Sequence, residues 1–414
     1  MRAEANASPP AIGLVVNPLA GIGGEVGLGG SDGARVQEEA SRLGGRPRSP
    51  ERAARFVREL ERLVPGARVL TGPGALGEDV APGAEIVPVP EGIGADGATT
   101  AAATASLARS LAERGAALIV FVGGDGTARD VMRGIGRGSI GAGGPGAAAG
   151  PGADAGQGAA ATQDAVGPGD AATARGAEQL CLGVPAGVKM HSGVFAVTPE
   201  DAAAQAAEVL AGRGRSVERD VVDLDEDARR AGVLSTAIFG TMRVPLHERM
   251  QRGKRSPAHG SGIDAAGVAA ELRESAAGLT LVFGPGTTTA RVAERFGIEP
   301  TLLGFDAISP DGTIRHGLTG EELERIAEAG DFAVVLSPVG GQGFVIGRGN
   351  HQLTARVLER LERERLILVA EPAKLGELAG RLRIDAPTAE LNAKFRGTAR
   401  VLLGQGEIAV GRIE

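Results

Sequence analysis

Tryptophan and tyrosine are absent from this 414-residue chain, and aromatic residues make up only 2% of it. That scarcity removes the stacking platforms on which single-stranded nucleic acids are held. Cysteine occurs once, at Cys181, which excludes an internal disulfide and a cysteine-based zinc site and fits a reducing compartment. Basic excess is lacking too: the formal charge of −7 offers no footing for nucleic acid or an anionic membrane. No apolar run approaches the ~20 residues of a membrane span. The stretch Met1 to Pro10 is polar and carries no targeting pattern. The expectation is a cytoplasmic protein that binds neither nucleic acid nor membrane.

Hydrophobic residues at 43% and charged residues at 23% are ordinary for a globular protein, and the length allows two domains with a core in each. Glycine, at 67 residues, is not ordinary. With the alanine excess and the preference for Arg over Lys it reads as compositional bias, so glycine motifs must be discounted for chance. Gly72 to Gly77 and Gly136 to Gly141 both match Gly-x-Gly-x-x-Gly, but neither opens a helix, and both are set aside. No P-loop sequence is present.

Short apolar runs at 12–16, 67–70, 85–89, 117–122 and 179–185 read as buried strands, and apolar positions at helical spacing mark helices at 49–64 and 99–114 and from Thr198. Alternation of this kind implies a doubly wound parallel sheet with ligands at the carboxyl ends of its strands. Residues 137–177 hold scarcely a large apolar side chain and read as a disordered insertion. From 216 onward, strands at 217–222, 232–244, 279–283, 332–336 and 366–369 alternate with a polar loop at 247–265 and further helices. The expected organisation is an N-terminal α/β phosphate-binding domain (1–136 and 178–215), the insertion (137–177), and a C-terminal mixed α/β domain (216–414).

Three strand-to-helix turns offer unpaired N–H groups to an anion: Gly123 to Thr127, Gly284 to Thr289, and Gly340 to Gly343 with Gly347 to Asn350. The first, Gly123-Gly124-Asp125-Gly126-Thr127, stands out because it holds a carboxylate. Among phosphates a carboxylate is a liability unless it organises Mg²⁺ or takes a proton from the attacking hydroxyl. Bland readings compete with functional ones elsewhere. Thr127 and Asp130 have capping-box spacing; Thr287, Thr288 and Thr289 either cap a helix or contact phosphate. Lys189 either pairs with a phosphate or is a surface lysine, and His191 is a further candidate. Asp223 and Asp225 read as a solvated strand edge rather than a metal pair.

Asn17-Pro18 with its glycine loop, Gly123 to Thr127 and Leu182 to Gly187 resemble the NAD kinase superfamily, which includes diacylglycerol and sphingosine kinases. Gly183 to Ser192, Gly284 to Thr289 and Gly340 to Asn350 resemble its ATP-NAD kinase/AcoX-like branch, and the resemblance covers nearly the whole chain outside the insertion. It implies phosphoryl transfer from ATP or polyphosphate, with Mg²⁺, to the adenosine 2′-hydroxyl of NAD. Asp125 would be the base or the Mg²⁺ organiser; Asn17, the loop glycines, Thr127, Lys189 and Thr287 to Thr289 would hold phosphates. Dimers are common among such kinases. A lipid or other small-molecule kinase, and a non-catalytic nucleotide-binding regulator, are the alternatives. One departure stands near the C-terminus: Ile384 to Asn392 lies where the resemblance calls for an Asp-Thr-Gly-Asp-like segment, so Asp385 remains without its partner.

Overall fold

The computed structural model describes residues 9–28, 34–93, 99–136, 179–187, 190–224, 236–246, 263–301 and 304–414. The insertion expected at 137–177, most of the loop expected at 247–265, Lys189 and Asp225 lie outside the described residues. In the first half, β1 (Ile12–Val16), β2 (Val69–Thr71), β3 (Glu85–Ile86), β4 (Leu118–Gly123) and β5 (Cys181–Pro185) form a wholly parallel sheet in the order β3-β2-β1-β4-β5. Every residue of β1, β4 and β5 is buried, as expected of strands covered on both faces.

The covering helices are α1 (Ala34–Arg42), α2 (Ser49–Leu63), α3 (Ala101–Glu113), α4 (Asp125–Gly134) and α5 (Pro199–Leu210). Proline in its first turn suits the start of α2, where an N–H would go unpaired anyway. Its buried residues Ala53, Phe56 and Leu60 fall at helical spacing and face the sheet. Thr100 and Thr198 cap α3 and α5 by accepting the N–H groups of Ala103 and Asp201.

Strand order reverses between β1 and β4. The chain leaves β1 toward β2 and β3 on one side and returns to place β4 and β5 on the other. In open parallel sheets the crevice outside the carboxyl ends of the two strands flanking such a reversal receives the ligand. Asn17 directly follows β1, and Gly123 to Thr127 joins β4 to α4, so both motifs meet at this crevice.

An antiparallel pair follows, β6 (Ser216–Leu224) with β7 (Thr236–Pro245). The sequence boundary at 216 assigned it to the second domain. Its buried Val221, Met242 and Val244 instead sit in the core of the first sheet, against α4 and β5.

The remaining chain runs α6 (Ala265–Ser275), β8 (Thr280–Phe283), α7 (Thr287–Ala293), β9 (Phe305–Ile308), β10 (Ile314–Leu318), α8 (Gly320–Ala329), β11 (Phe332–Leu336), β12 (Phe344–Ile346), α9 (Ala355–Arg360), β13 (Leu366–Val369), α10 (Pro372–Glu377), β14 (Arg381–Ile384), α11 (Ala389–Phe395), β15 (Gly397–Gly404) and β16 (Glu407–Ile413). Its strands make a nine-stranded sheet in the order β10-β9-β8-β11-β13-β15-β16-β14-β12. The sheet is mixed: β8, β11, β13 and β15 are parallel neighbours, as are β16, β14 and β12, whereas β9 pairs antiparallel with β8 and β10, and β15 with β16. Alternate residues of one strand serve opposite faces. Phe332, Val334 and Leu336 join one core cluster, and Ala333 and Val335 join the other.

Candidate functional site

The turn at the strand reversal is shaped by close approach. A Cβ on Gly123 would overlap the Thr127 side chain, and one on Gly124 would meet the Gly187 backbone at 3.3 Å. The Gly123 carbonyl accepts the N–H groups of Ala186 and Gly187 at 2.8 and 3.2 Å, which draws the segment after β5 onto the turn. Gly124 is the N-cap of α4 and supplies no side-chain cap. The capping box expected of Thr127 and Asp130 therefore does not form: the helix begins at Asp125, two residues before Thr127. Asp130 lies instead 3.6 Å from Arg133. Thr127 is buried, and its hydroxyl accepts the Asn17 side-chain N–H at 2.9 Å, while Asn17 Oδ1 accepts the Leu19 N–H at 3.2 Å. Asn17 and Thr127, far apart in sequence, thus stitch the loop after β1 to the start of α4.

Asp125 is only 6% exposed and sits in the first turn of α4, where the positive end of the helix dipole favours a carboxylate. Its Oδ2 accepts the His191 backbone N–H at 2.6 Å and faces His191 Nδ1 at 3.1 Å; its Oδ1 accepts the Ser192 N–H at 3.0 Å. Of about four lone-pair positions on a carboxylate, two are engaged by backbone N–H donors, and the His191 ring nitrogen faces the carboxylate as well. A Mg²⁺ ion held on Asp125 would share the carboxylate with those groups.

Two further elements brace the 190–192 segment. Ser192 Oγ donates to the Val222 carbonyl and accepts the Val222 N–H, both at 2.9 Å, tying the segment to β6. From the second sheet, Gln342 Nε2 donates to the Met190 carbonyl at 2.6 Å. Turns from both halves of the chain thus converge on the crevice: Gly123 to Thr127, Met190 to Ser192, and the Gly340 to Gly343 turn. Gln342 was legible only as part of a glycine-rich run.

Beside this site the two halves are joined by a buried ion cluster. Asp385, fully buried, takes Arg52 Nη2 at 2.6 Å and Arg348 Nη1 at 2.5 Å, so α2 of the first half and the Gly347–Asn350 turn of the second share one carboxylate. Arg348 also donates to the Val197 carbonyl at 2.8 Å, and Arg55 binds Glu200 and the Pro387 carbonyl. Burial pushes the Asp385 carboxyl up, and the Arg52 and Arg348 guanidiniums more than reverse it, holding it well below the usual carboxylate range. Burial pushes Arg348 down to about 10, with Asp385 opposing the shift. Arg48 is pushed to about 10 by burial and by the Arg52 charge. It lines a cavity of about 180 Å³ shared with Glu25, Glu51, Asn350, His351 and Asp385. Buried His351 is held well below the usual histidine range by desolvation, then by the Arg48 and Arg348 charges. The departure noted around Asp385 falls on this cluster: the residue is kept, and its partners are arginines.

Other sequence candidates lie elsewhere. Thr287, Thr288 and Thr289 open α7 after β8, on the second sheet. Thr287 is exposed, Thr288 and Thr289 are buried, and the Thr289 hydroxyl donates to the Gly286 carbonyl at 2.8 Å. Asp223 is no solvated strand edge: it is buried and paired with Arg129 at 2.9 Å. Lys189 lies outside the described residues. No helix among the described residues is long and apolar enough to cross a membrane.

The sheet reversal, the helix start beneath it and the second sheet reaching across define an α/β protein with an N-terminal parallel sheet, a second mixed sheet and no P-loop. Within that class the chain belongs to the ATP-NAD kinase family: residues 12–140 match the ATP-NAD kinase N-terminal domain and residues 277–412 the ATP-NAD kinase C-terminal domain. No curated protein and no solved structure matches it.

Proposed function

We propose that this protein is an NAD kinase, moving the terminal phosphoryl group of ATP or polyphosphate to the 2′-hydroxyl of the adenosine ribose of NAD and giving NADP. The observation that carries this reading is that the family match extends over both the N-terminal and C-terminal domains, with Gly123 to Thr127 at the strand reversal. Backbone N–H groups at the start of α4 and the flanking glycines receive phosphate oxygens, since no side chain stands between backbone and ligand. Asn17 and Thr127 act by holding the loop in shape. Asp125 belongs to the catalytic machinery through its hold on the 190–192 segment. Mg²⁺ bound with the donor phosphates would supply neutralisation of the charge that develops in transfer. Thr287 to Thr289 and Lys189 remain phosphate contacts in this reading, and the setting is cytoplasmic.

A mass-resolved assay with NAD, NADH and a lipid panel as acceptors, and ATP or polyphosphate with Mg²⁺ as donor, tests it. NADP as the product supports the reading. A phosphorylated lipid in its place, or nucleotide binding with no product from any acceptor, refutes it.

A further inference from the structure

The Arg48 side chain is buried, yet among the described residues its guanidinium has neither a hydrogen bond nor an ion pair. It lines a cavity enclosed by both halves of the chain: Glu25 and Glu51 join it from the first half, and the 346–355 segment, Asp385 and Pro387 close it from the second. The volume of about 180 Å³ leaves room for several waters or for a phosphate group. None of the walls belongs to the Gly123 to Thr127 turn or to the 190–192 segment.

The backbone sets where this guanidinium stands. The Arg48 and Ser49 N–H groups both donate to the Ala20 carbonyl, at 3.0 and 3.3 Å, and a Cβ on Gly21 would meet the Arg48 stem at 3.1 Å. Arg48 is also the N-cap residue of the 15-residue helix α2 and supplies no side-chain cap. Arg48 and Glu51 put the first turn of α2 against the cavity, and the positive end of that helix dipole favours an anion there.

Charge in this part of the interior is unbalanced. Arg48, Arg52 and Arg348 are 8%, 1% and 4% exposed; Arg52 and Arg348 share the Asp385 carboxylate, and Arg48 does not. A buried charge is costly unless it is paired. Burial and the Arg52 charge push Arg48 down to about 10, so it keeps its proton at neutral pH. Of the two glutamates on the wall, Glu51 is exposed, where water and salt screen it. Glu25 is half-buried, and burial raises its carboxyl against the lowering by Arg48 and Arg46. A raised carboxyl repels an anion less, and its protonated form donates a hydrogen bond to one.

We propose that this cavity binds a phosphate-type oxyanion (orthophosphate, pyrophosphate or the phosphate of a small ester) through the Arg48 guanidinium and the first turn of α2. The planar guanidinium fork matches two phosphate oxygens at once. With walls from both halves, the bound anion ties the start of α2 to the 346–355 segment. Neither the acceptor nor phosphoryl transfer enters this assignment.

The test follows the ring signals of His351, a wall residue and one of five histidines, by ¹H–¹³C NMR, with His351→Gln to assign them. Orthophosphate, pyrophosphate and glycerol phosphate are titrated into wild type, Arg48→Met and Arg48→Lys at constant ionic strength, with chloride as the control. The expected result is a saturable shift in wild type that chloride does not produce. Binding is expected to be about 10- to 100-fold weaker in Arg48→Met, and intermediate in Arg48→Lys, which keeps the charge without the fork. The tightest binder of the three separates free ion from ester as the source. Removing an unpaired buried charge spares the fold, so Arg48→Met is expected to melt no lower than wild type in phosphate-free buffer. A His351 signal that none of the three anions moves, or that moves alike in wild type and Arg48→Met, overturns the proposal. Lower melting of Arg48→Met in phosphate-free buffer, with no anion shift in wild type, overturns it too, because Glu25 or Glu51 then already holds the guanidinium. Turnover is not read, so a failure to form NADP refutes the kinase reading and leaves this assignment standing.

Discussion

Replacing Asp385 by asparagine keeps the size of the side chain and removes the charge that two buried guanidiniums share. Asp385 is 0% exposed, Arg52 1% and Arg348 4%, so solvent screens little of the loss. Breaking a buried pair by removing one partner costs about 3–5 kcal/mol, because the other charge is left uncompensated in the interior. Here two charges are left, so Asp385→Asn is expected at the upper end, about 5 kcal/mol, a large part of the ~5–15 kcal/mol that folded proteins possess. The cluster also joins α2 to the Gly347–Asn350 turn, so the loss falls on the contact between the two halves. With no Trp or Tyr to report, unfolding is followed by far-UV circular dichroism in urea, which leaves ionic strength unchanged. Replacing all three members by apolar residues of similar volume is expected to be much less harmful than the single change, since no charge is then left unpaired. An Asp385→Asn protein destabilised by less than about 1 kcal/mol would refute the reasoning, because it would mean the guanidiniums are solvated or otherwise compensated.

Stability is expected to fall on acidification for a separate reason at His351. Its folded-state value lies well below 6.5, so below pH 6.5 the unfolded chain binds the extra proton and stability drops as pH drops. Between pH 6.5 and 5.5 the loss is about 1 kcal/mol, and His351→Gln, measured by the same urea titration, should lack it; an identical pH slope in both proteins counts against the assignment. Asp385 contributes lower down: its stabilisation is present above the unfolded-state value of 3.8 and is lost as pH falls below that toward its depressed folded value. Gly123→Ala places a methyl group against Thr127 and is expected to cost about 1–3 kcal/mol and to displace the Asn17 contact. Unchanged thermal stability and an unchanged Asn17 side-chain amide signal would show that the turn has slack.

Local pattern made the first half readable. Ile12 to Val16 and Leu118 to Val122 are continuous apolar runs ending in turn residues, and glycine follows the second directly, so strand, turn and helix start were all written in adjacent residues. The same holds for Phe332 to Leu336 and Leu366 to Val369. What was missed depends on distant partners. The antiparallel pair of β15 and β16 alternates polar and apolar residues weakly, with Val410 exposed, and its pairing is set across the sheet. The placement of β6 and β7 on the first core rests on Val221, Met242 and Val244 meeting α4 and β5, which no local pattern encodes.

The site divides the same way. The glycine turn and its carboxylate were legible because a phosphate cradle has little use for an acid. The partners of Asp125 were not, since His191 and Ser192 lie more than sixty residues away in sequence. Asp385 stood out in the sequence but its partners Arg52 and Arg348 did not: buried arginines look like surface arginines until the second half closes over them.

The most direct test of the central claim is ³¹P NMR of the nucleotide product formed from NAD by the wild-type protein with ATP and Mg²⁺. The expected result is a new phosphomonoester coupled to the 2′-proton of the adenosine ribose, growing as ADP accumulates. A phosphate elsewhere on NAD, or ADP release with no new phosphomonoester, would contradict it.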